Sequence, residues 1–481
     1  MSLPNFSGDI VIGLEIHVEL NTKTKLFCGC ARSGGEIPNT RVCPICLGHP
    51  GTRPVLNKKA VDYALKIARA LGCTINSDLI FSRKGYFYPD MSKNFQITQF
   101  EEPLGSGGSV KLKSGKNIQL QRIHIEEDPA SLSYPQSMAT SPFAYLDYNR
   151  AGNPLVEIVT TPTLTTPAEA RDFLNQLLGI LSYLNVFDQN HCIMKADANI
   201  SLKESDYTRV EIKNISGFKE VETALTYEVT RQRALLRRGM TIKRETRGWN
   251  EASKGTISLR SKEQEADYGY ITEPDLVPLD LTDEMIAIVE KEIPELAHQK
   301  MERYVRDFGL DTGDAEVMAM ELELAELFEK VAREINPQLA ARWLRRELLR
   351  VLNYNKKTIR EIKFDEKELI ELLVLVEERA ISETTAQKLM EKLMENERFS
   401  PREYVKKEGL LQITSEGMVR DICKRVMVGN VKAVEDYYAG NEKSFHFLVG
   451  QVMRETRGKA EPGLVNRVMG EVVGERKKKI I

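Results

Sequence analysis

The chain has 481 residues, with 68 Lys+Arg against 70 Asp+Glu, a formal net charge of −2, 42% hydrophobic and 29% charged residues. This balance is that of a globular chain and excludes a disordered or collagen-like one. No apolar run approaches the ~20 residues of a bilayer span, and Met1 to Asp9 carries no basic-then-apolar leader, so neither membrane nor secretion is expected.

The length predicts two to four domains. Up to about residue 290, strand-like alternation mixes with Gly/Pro turns and a few helices. Beyond Ile293-Pro294 the spacing is almost wholly helical. The expected fold is an α+β N-terminal domain, with helices on a mainly antiparallel or mixed sheet, followed by all-α C-terminal domains. The expected boundaries are 1–293, 294–407 and 408–481.

The first strand is predicted over Ile10 to Leu20, where every second residue is apolar. A period of two sends Glu15, His17 and Glu19 to the opposite face. A helix is predicted over 58–71, opened by Asn57 and stopped by Gly72. A second starts at Thr166-Pro167-Ala168-Glu169, a capping box with Pro at the first helical position. A third runs from Glu222 to Arg238. Strands are predicted over 118–126, 155–160, 191–202 and 208–214, and Gly105-Ser-Gly-Gly-Ser109 reads as a hairpin turn. In the helical half, Asp365, Ser382, Ser400 and Ser415 each open a run of three–four spacing, for about eight helices.

Seven cysteines are too few for a disulfide scaffold, and their number is odd, which points to a reducing compartment and a cytoplasmic location. Four of them, Cys28, Cys30, Cys43 and Cys46, fall within nineteen residues around a loop tip at Ser33-Gly34-Gly35-Glu36. Two close pairs on two knuckles suit a tetrahedral zinc ion, and four thiolates leave no open position, so the site would be structural. The plain alternative is a set of reduced thiols.

Glu15, His17 and Glu19 on one strand face could hold a hard divalent cation or could simply be solvated. His124-Ile-Glu126-Glu127-Asp128 closes another strand with three acids. Glu157 stands alone in the apolar run Pro154-Leu-Val-Glu-Ile158, where an ionised carboxylate needs a partner if it is buried. Residues 81–96 mix Arg83, Lys84 and Lys93 with five aromatics, a composition suited to stacking and phosphate contact or to an aromatic core edge. Two more polar stretches, Arg209 to Asn214 and Glu245 to Arg247 with Arg260, Lys262, Asp267 and Tyr268, read as solvated strand or loop.

Residues 451–481 hold eight basic side chains (Arg454, Arg457, Lys459, Arg467, Arg476, Lys477, Lys478, Lys479) and four acids, a local charge of +4 that leaves −6 for the remainder. Residues 311–330 hold seven acids and one lysine, Lys330. There is no phosphate-binding Gly-x4-Gly-Lys-Ser/Thr loop, no Gly-x-Gly-x-x-Gly, no His-Glu-x-x-His and no Gly-x-Ser-x-Gly.

Long ordered strings across nearly the whole chain resemble the GatB family, the B-type subunits of the glutamine-dependent aspartyl/glutamyl-tRNA amidotransferases. They include Val11-Ile-Gly-Leu-Glu-Ile-His-Val-Glu-Leu20, Pro54-Val-Leu-Asn57, Tyr86-Phe-Tyr-Pro-Asp90, His124-Ile-Glu-Glu-Asp128 and Asn149-Arg150. Further on come Pro154-Leu-Val-Glu-Ile158, Asp197-Ala-Asn-Ile-Ser201, Glu211-Ile-Lys-Asn214, Glu273-Pro-Asp275, Phe447-Leu-Val-Gly-Gln451 and Gly458-Lys-Ala460. Ser92 stands where that family often has Pro, and Ile215-Ser-Gly-Phe218 replaces its commoner Leu-Asn-Ser-Phe.

The resemblance implies a cradle domain, a helical domain and a tail domain that grips tRNA. It implies that ATP phosphorylates the side-chain carboxylate of Glu-tRNA(Gln) or Asp-tRNA(Asn), and that ammonia then displaces phosphate. The ammonia would come from glutamine through a partner amidase, the A-type subunit, with a small C-type subunit holding the pair together. The resemblance places a magnesium ion on His17, Glu127 and Glu157, with Glu15 beside them, and zinc on the four cysteines. Lys84 and Lys93 become candidates for phosphate or channel contacts, and Arg150 and Lys213 for nucleotide contacts. The competing expectations are a non-catalytic zinc-containing tRNA-binding translation factor and the related subunit of the two-subunit, glutamate-only enzyme. The latter carries a large insertion for which there is no room between Tyr270 and Glu273.

Overall fold

A computed structural model describes residues 9–34, 37–136, 141–261, 269–361, 365–395, 399–413, 415–456 and 458–480. Glu36, Lys262, Asp267, Tyr268 and Arg457, which the sequence singled out, lie outside the described residues, as do the side chains of Arg260, Arg476, Lys477, Lys478 and Lys479. The chain divides into two compact units, Met1–Leu296 and Ala297–Ile481.

The N-terminal unit is built on a ten-stranded mixed sheet. Its main elements are β1 (Ile10–Glu19), α1 (Lys58–Ala70), β2 (Asn117–Glu127), β3 (Pro154–Thr160), α2 (Pro167–Tyr183), β4 (Met194–Leu202), β5 (Val210–Lys213), α3 (Phe218–Arg237), β6 (Glu245–Asn250) and β7 (Gly255–Ser261). The strand order is β7-β6-β5-β4-β1-β3-β2, continued by the short strands Gly105–Ser106 and Thr74–Ile75. Every pairing is antiparallel except β5 with β6. A separate three-stranded sheet joins Ser82–Gly85, Phe95–Thr98 and Tyr270–Thr272.

The local signals act as their residue types dictate. Asn57 accepts hydrogen bonds from the Lys59 and Ala60 amides at the start of α1, and Thr166 accepts from the Glu169 amide at the start of α2. Gly72 follows α1 with φ +75°, a left-handed conformation that suits glycine. Helix α3 starts at Phe218, four residues before the expected Glu222, because Gly217 ends the preceding turn there. Gly105–Ser106 and Ser109–Lys111 do not pair with each other; both pair with β2.

Ile12, Leu14, Ile16 and Val18 of β1 are buried, and Glu15 and His17 are half-buried, as a period of two requires. Helices α2 and α3 pack on this sheet and cover its apolar face. On β2 the alternation changes phase. Its register with β3 passes from Val159–Arg122 to Thr160–Leu120, so Gln121 has no partner opposite it. Before this bulge Ile118 and Leu120 are buried; after it Ile123 and Ile125 are. The bulge turns Arg122, His124 and Glu126 to the face shared by Glu15 and His17.

The C-terminal unit contains twelve α-helices among the described residues. Asp365, Ser382 and Ser400 cap their helices as expected. Asp311 and Asn336 also cap helices, at sites without an expected start, which is one reason the helices outnumber the expected eight. The unit has two hydrophobic cores. One runs from Tyr304 to Val405 and the other from Val419 to Val473.

Ile158 is fully buried at the centre of β3. Ile158→Ala is expected to cost about 2–5 kcal/mol, whereas Val277→Ala, at a residue 88% exposed, stays within ~0.5 kcal/mol of the parent. Urea unfolding of the full chain checks both, and a loss below about 1 kcal/mol for Ile158→Ala would contradict this packing.

Candidate functional site

One face of the sheet gathers residues from three distant segments. In the register, His17 lies opposite Glu157 on β3 and opposite Lys195 on β4, and Glu157 lies opposite His124 on β2. Glu15 lies opposite Val159 and Asp197. Side chains directly across antiparallel strands stand about 4.5–5.5 Å apart at Cβ, so pairing alone brings a row of two imidazoles and a carboxylate together.

The ring nitrogen His17 Nε2 is 3.3 Å from Glu157 Oε2 and 3.4 Å from Glu126 Oε1. His124 Nε2 is 3.4 Å from Glu157 Oε2 and 3.6 Å from Glu126 Oε2. These separations exceed good N–H···O hydrogen bonds, which centre near about 2.9–3.0 Å. They match two ligand atoms each about 2.1 Å from one ion, which stand about 3.0–3.4 Å apart in octahedral or tetrahedral geometry. Glu15, His17 and Glu157 offer ligand atoms within 4.8 Å of one another, and so do His124, Glu126 and Glu157. Glu157 Oε1 and His124 Nδ1 are buried with no hydrogen-bond partner among the described residues. Buried polar atoms left in this way fit a site that binds a cation.

The electrostatics agree. Burial works against protonation of both imidazoles, but Glu157 and the neighbouring carboxylates raise His17 to about 10 and His124 to about 9. Burial and the nearby Glu157 raise the Glu15 carboxyl, while the histidines hold Glu157 well below the usual carboxylate range despite its burial. The cluster draws positive charge from whatever source is at hand.

Cations stand around it. Lys84, from the small sheet, is raised by Tyr270, Glu126, Glu157 and Glu15 against its burial. Lys213 is also raised against burial, by Asp197, Glu211 and Glu15, and its ammonium donates to Asp197 at 2.9 Å. Arg122 reaches Glu157 Oε1 at 3.8 Å, and its Nε has no partner among the described residues. Arg150 Nε is 2.9 Å from Asp128 and donates to the carbonyl of Pro129.

Of the expected metal set, the structure brings His17, Glu157 and Glu15 together but not Glu127. After the bulge, alternation along β2 sends Glu127 to the other side from Glu126. Its Oε1 accepts from Lys93 Nζ at 2.5 Å and from the Ile97 amide at 2.8 Å. Glu126 and His124 take the place expected of Glu127. Lys93 pairs with Glu127 rather than with the cluster carboxylates. Glu19, on the same strand as the cluster, instead bonds Arg32, Asn153 and the Ile193 amide, tying β1 to the cysteine segment.

The four cysteine sulfurs lie within 4.8 Å of one another, with Cys43 and Cys46 at 3.9 Å. Thiolates each about 2.3 Å from one zinc ion stand roughly 3.8 Å apart in a tetrahedron. The Cys28 thiol bonds Cys46 and, with Lys25, pushes it down to about 4, while Cys28 itself is pushed up. Lys25, a residue outside every sequence motif, is fully buried 3.7 Å from Cys46 Sγ. Its ammonium would offset part of the −2 charge that four thiolates leave on a divalent ion. Gly48, at φ +69°, closes the second knuckle; a Cβ there would run into Lys93.

The family model for the GatB/GatE catalytic domain matches residues 10–287, and that for the GatB domain matches residues 326–473. The B-type subunit of aspartyl/glutamyl-tRNA(Asn/Gln) amidotransferase from Methanospirillum hungatei is 44% identical over 97% of this chain and 99% of its own. The subunit of the same name from Carboxydothermus hydrogenoformans is 42% identical over 96% and 98% of the two chains, and that from Thermotoga maritima 41% identical over the same shares.

The alternation on β2 makes a direct forecast. Glu126→Gln is expected to weaken Mn²⁺ binding to the full chain by roughly 10–100-fold, the range seen when the support of a metal site is removed. Glu127→Gln should change it by less than about threefold. Titration calorimetry with Mn²⁺ separates the two, and the reverse order would restore Glu127 to the cluster.

Proposed function

The chain belongs to the GatB family of aspartyl/glutamyl-tRNA amidotransferase subunits, and on that premise we propose how it contributes to the ATP-dependent amidation of a misacylated tRNA. It is part of a tRNA-dependent amidotransferase, an enzyme of the ligase type. The substrates are Glu-tRNA(Gln), Asp-tRNA(Asn) or both. A carboxylate does not take ammonia at neutral pH, so its oxygen must first become part of a leaving group. ATP supplies that group by phosphorylating the Glu or Asp side chain, and ammonia then displaces inorganic phosphate to leave the amide.

The reading rests on one observation: Glu15, His17 and Glu157 meet, with His124 and Glu126 beside them, on one face of the sheet. These residues would hold Mg²⁺, and Lys84, Arg122 and Lys213 surround them with positive charge. Bound there, the cation would neutralise charge on the transferring phosphoryl group. The chain's own share is positioning: the strand register fixes the carboxylates and imidazoles, and the lysines and Arg122 face where phosphate oxygens would arrive. No nucleophilic side chain is needed. Arg150, tied to Asp128, serves as a nucleotide contact only if that pair opens, and Lys213 only beside Asp197.

The four cysteines would hold a structural Zn²⁺. A partner amidase would supply ammonia from glutamine and a small third subunit would complete a heterotrimer, in the cytoplasm and with no membrane partner. The 297–407 helices and the 408–481 tail act as separate domains in this reading, and the tail meets the tRNA backbone. Within the tail Arg420, Arg425 and Arg467 are paired with Glu416, Glu455, Glu471 and Glu475, so phosphate contact there competes with internal pairs. A non-catalytic translation factor is not favoured, because a pure binder has no use for the buried acid–imidazole cluster.

With Mg²⁺, ATP and free ammonia, the chain is expected to convert Glu-tRNA(Gln) or Asp-tRNA(Asn) to the amide, and to use glutamine only with the amidase partner present. Glutaminase activity from this chain alone would contradict the assignment. His17→Ala and Glu157→Ala should each abolish tRNA-dependent ATP hydrolysis while tRNA affinity, read by filter binding, stays within a few-fold; unchanged turnover in both would place the chemistry elsewhere. Cys46→Ser should lower the zinc content from one ion per chain and destabilise the N-terminal unit, as measured by metal analysis and thermal unfolding.

A further inference from the structure

The polar row on the sheet does not end at the acid–imidazole cluster. The register carries it one strand further: Lys195 on β4, His17 on β1, Glu157 on β3 and His124 on β2 stand opposite one another in turn. Neighbouring strands lie about 4.7–4.9 Å apart, and residues directly opposite in antiparallel pairs share a face. On β4, Ala196 and Ala198 are buried on the other face, while Lys195 is exposed. Lys195 is therefore the end member of the row, beside His17.

The cations at this face differ in what they already hold. Arg122 reaches Glu157 Oε1 at 3.8 Å, Lys213 donates to Asp197 at 2.9 Å, and Lys84 lies under the pull of Glu126, Glu157 and Glu15. The Lys195 ammonium makes no hydrogen bond or ion pair with any described residue. The acids that act on it are already taken, Asp197 by Lys213 and Asp128 by Arg150 at 2.9 Å. Desolvation and the Arg150 guanidinium push its ammonium below the usual lysine range, although the residue as a whole is exposed. An anion arriving beside Lys195 meets that uncompensated charge.

We propose that Lys195 is a substrate contact of this reaction: its ammonium binds the side-chain carboxylate of the Glu or Asp carried by the tRNA, the group that accepts the phosphoryl. The inference rests on the amidotransferase reading given above and adds to it the residue that holds the acceptor.

The place selects that anion. The carboxylate oxygen bonds the γ-phosphorus of ATP as the bond to the leaving ADP oxygen breaks, and no proton is transferred. The acceptor thus enters as its anion and needs a fixed cation rather than a base. In-line transfer sets the attacking and leaving oxygens on opposite sides of phosphorus, so acceptor and nucleotide approach from opposite ends of the row. Arg122 and Lys84 both act on Glu157 and suit the several charges of a triphosphate. The other end offers one unpaired ammonium, and Asp128 and Asp197 act on that ammonium. Those acids repel a polyphosphate more than a single carboxylate. The flexible four-carbon stem of a lysine follows a carboxylate to two distances, so one residue serves both the shorter Asp and the longer Glu side chain.

Lys195→Met and Lys195→Arg in the full chain test this with Mg²⁺, ATP, free ammonia and Glu-tRNA(Gln) or Asp-tRNA(Asn). Lys195→Met is expected to lower kcat for amide formation and for tRNA-dependent ATP hydrolysis by about 100-fold, the usual effect of removing one fixed electrostatic group from a reacting centre. The KM for ATP and the tRNA affinity by filter binding should each stay within about threefold of the parent. Lys195→Arg, which keeps the charge, should recover about tenfold of the loss. A raised KM for ATP with kcat unchanged would move Lys195 to the nucleotide and overturn the proposal, as would turnover of Lys195→Met within about threefold of the parent. An equal fall in both variants with a lowered unfolding midpoint would assign Lys195 to the fold and overturn it too. A parent chain that hydrolyses no ATP with either tRNA would instead remove the amidotransferase reading itself.

Discussion

Carboxylates and imidazoles packed on one face of a sheet, largely out of water, set the terms for the N-terminal unit. Glu126, Glu157 and His124 are buried, and Glu15 and His17 are half-buried beside them. Like charges this close repel strongly where the dielectric is low. The cluster persists only because opposite charge compensates it, as protons on the two histidines, as lysine and arginine at its rim, or as bound cations. A site built to demand positive charge is suited to anionic phosphate only once that demand is met in excess. The same residues thus link the proposed cation site to the proposed place of phosphate chemistry.

The scaffold makes this crowding possible. Antiparallel pairing of β1 with β3, and of β3 with β2, fixes His17, Glu157 and His124 in one row, so no loop has to be ordered to assemble them. The other face of the same strands is among the most apolar surfaces of the chain, with Ile16, Val156, Ile158, Ile123 and Ile125 fully buried. Each residue on the polar face is therefore anchored by neighbours one step away in sequence. The bulge at Gln121 is the single irregularity that the arrangement needs, since without it β2 would present Ile123 and Ile125 to the polar face and bury His124 and Glu126 in the core.

That irregularity also marks how far the sequence could be read. The alternation of β1, the caps of α1 and α2 and the strand ranges near 118–126 and 155–160 are legible because each rests on local spacing. So is the gathering of the four cysteines, which adjoin in sequence. Which of Glu126 and Glu127 faces His17 is not legible. It depends on one unpaired residue in β2, and bulges of this kind leave no clear trace in a run such as Gln119 to Ile125. Lys25 and Arg122 escape notice for a related reason: an isolated cation carries no motif, and its importance comes from a tertiary neighbour, Cys46 or Glu157. The boundary at Leu296 lies only three residues beyond the expected one, because the change from period two to helical spacing is itself the boundary signal.

The two metal-type sites differ in how they answer to the rest of the fold. The cysteine set is closed by its own four ligands and is held to the sheet by Lys25, by the Glu19–Arg32 pair and by Ser92, whose hydroxyl donates to the Cys46 carbonyl. With a metal bound, that closure would fix the segment next to Lys93 and Glu127 and leave no position for a reactant. The acid–imidazole cluster is the opposite case. Its ligand groups come from separate strands, and two of its polar atoms have no hydrogen-bond partner among the described residues. Ligand positions left for water or substrate are what separates a site that does chemistry from one that only holds a fold together. The physical difference between the two clusters, rather than the identity of any ion, is that one is a set of four thiolates complete in itself and the other a set of carboxylates and imidazoles drawn from separate strands.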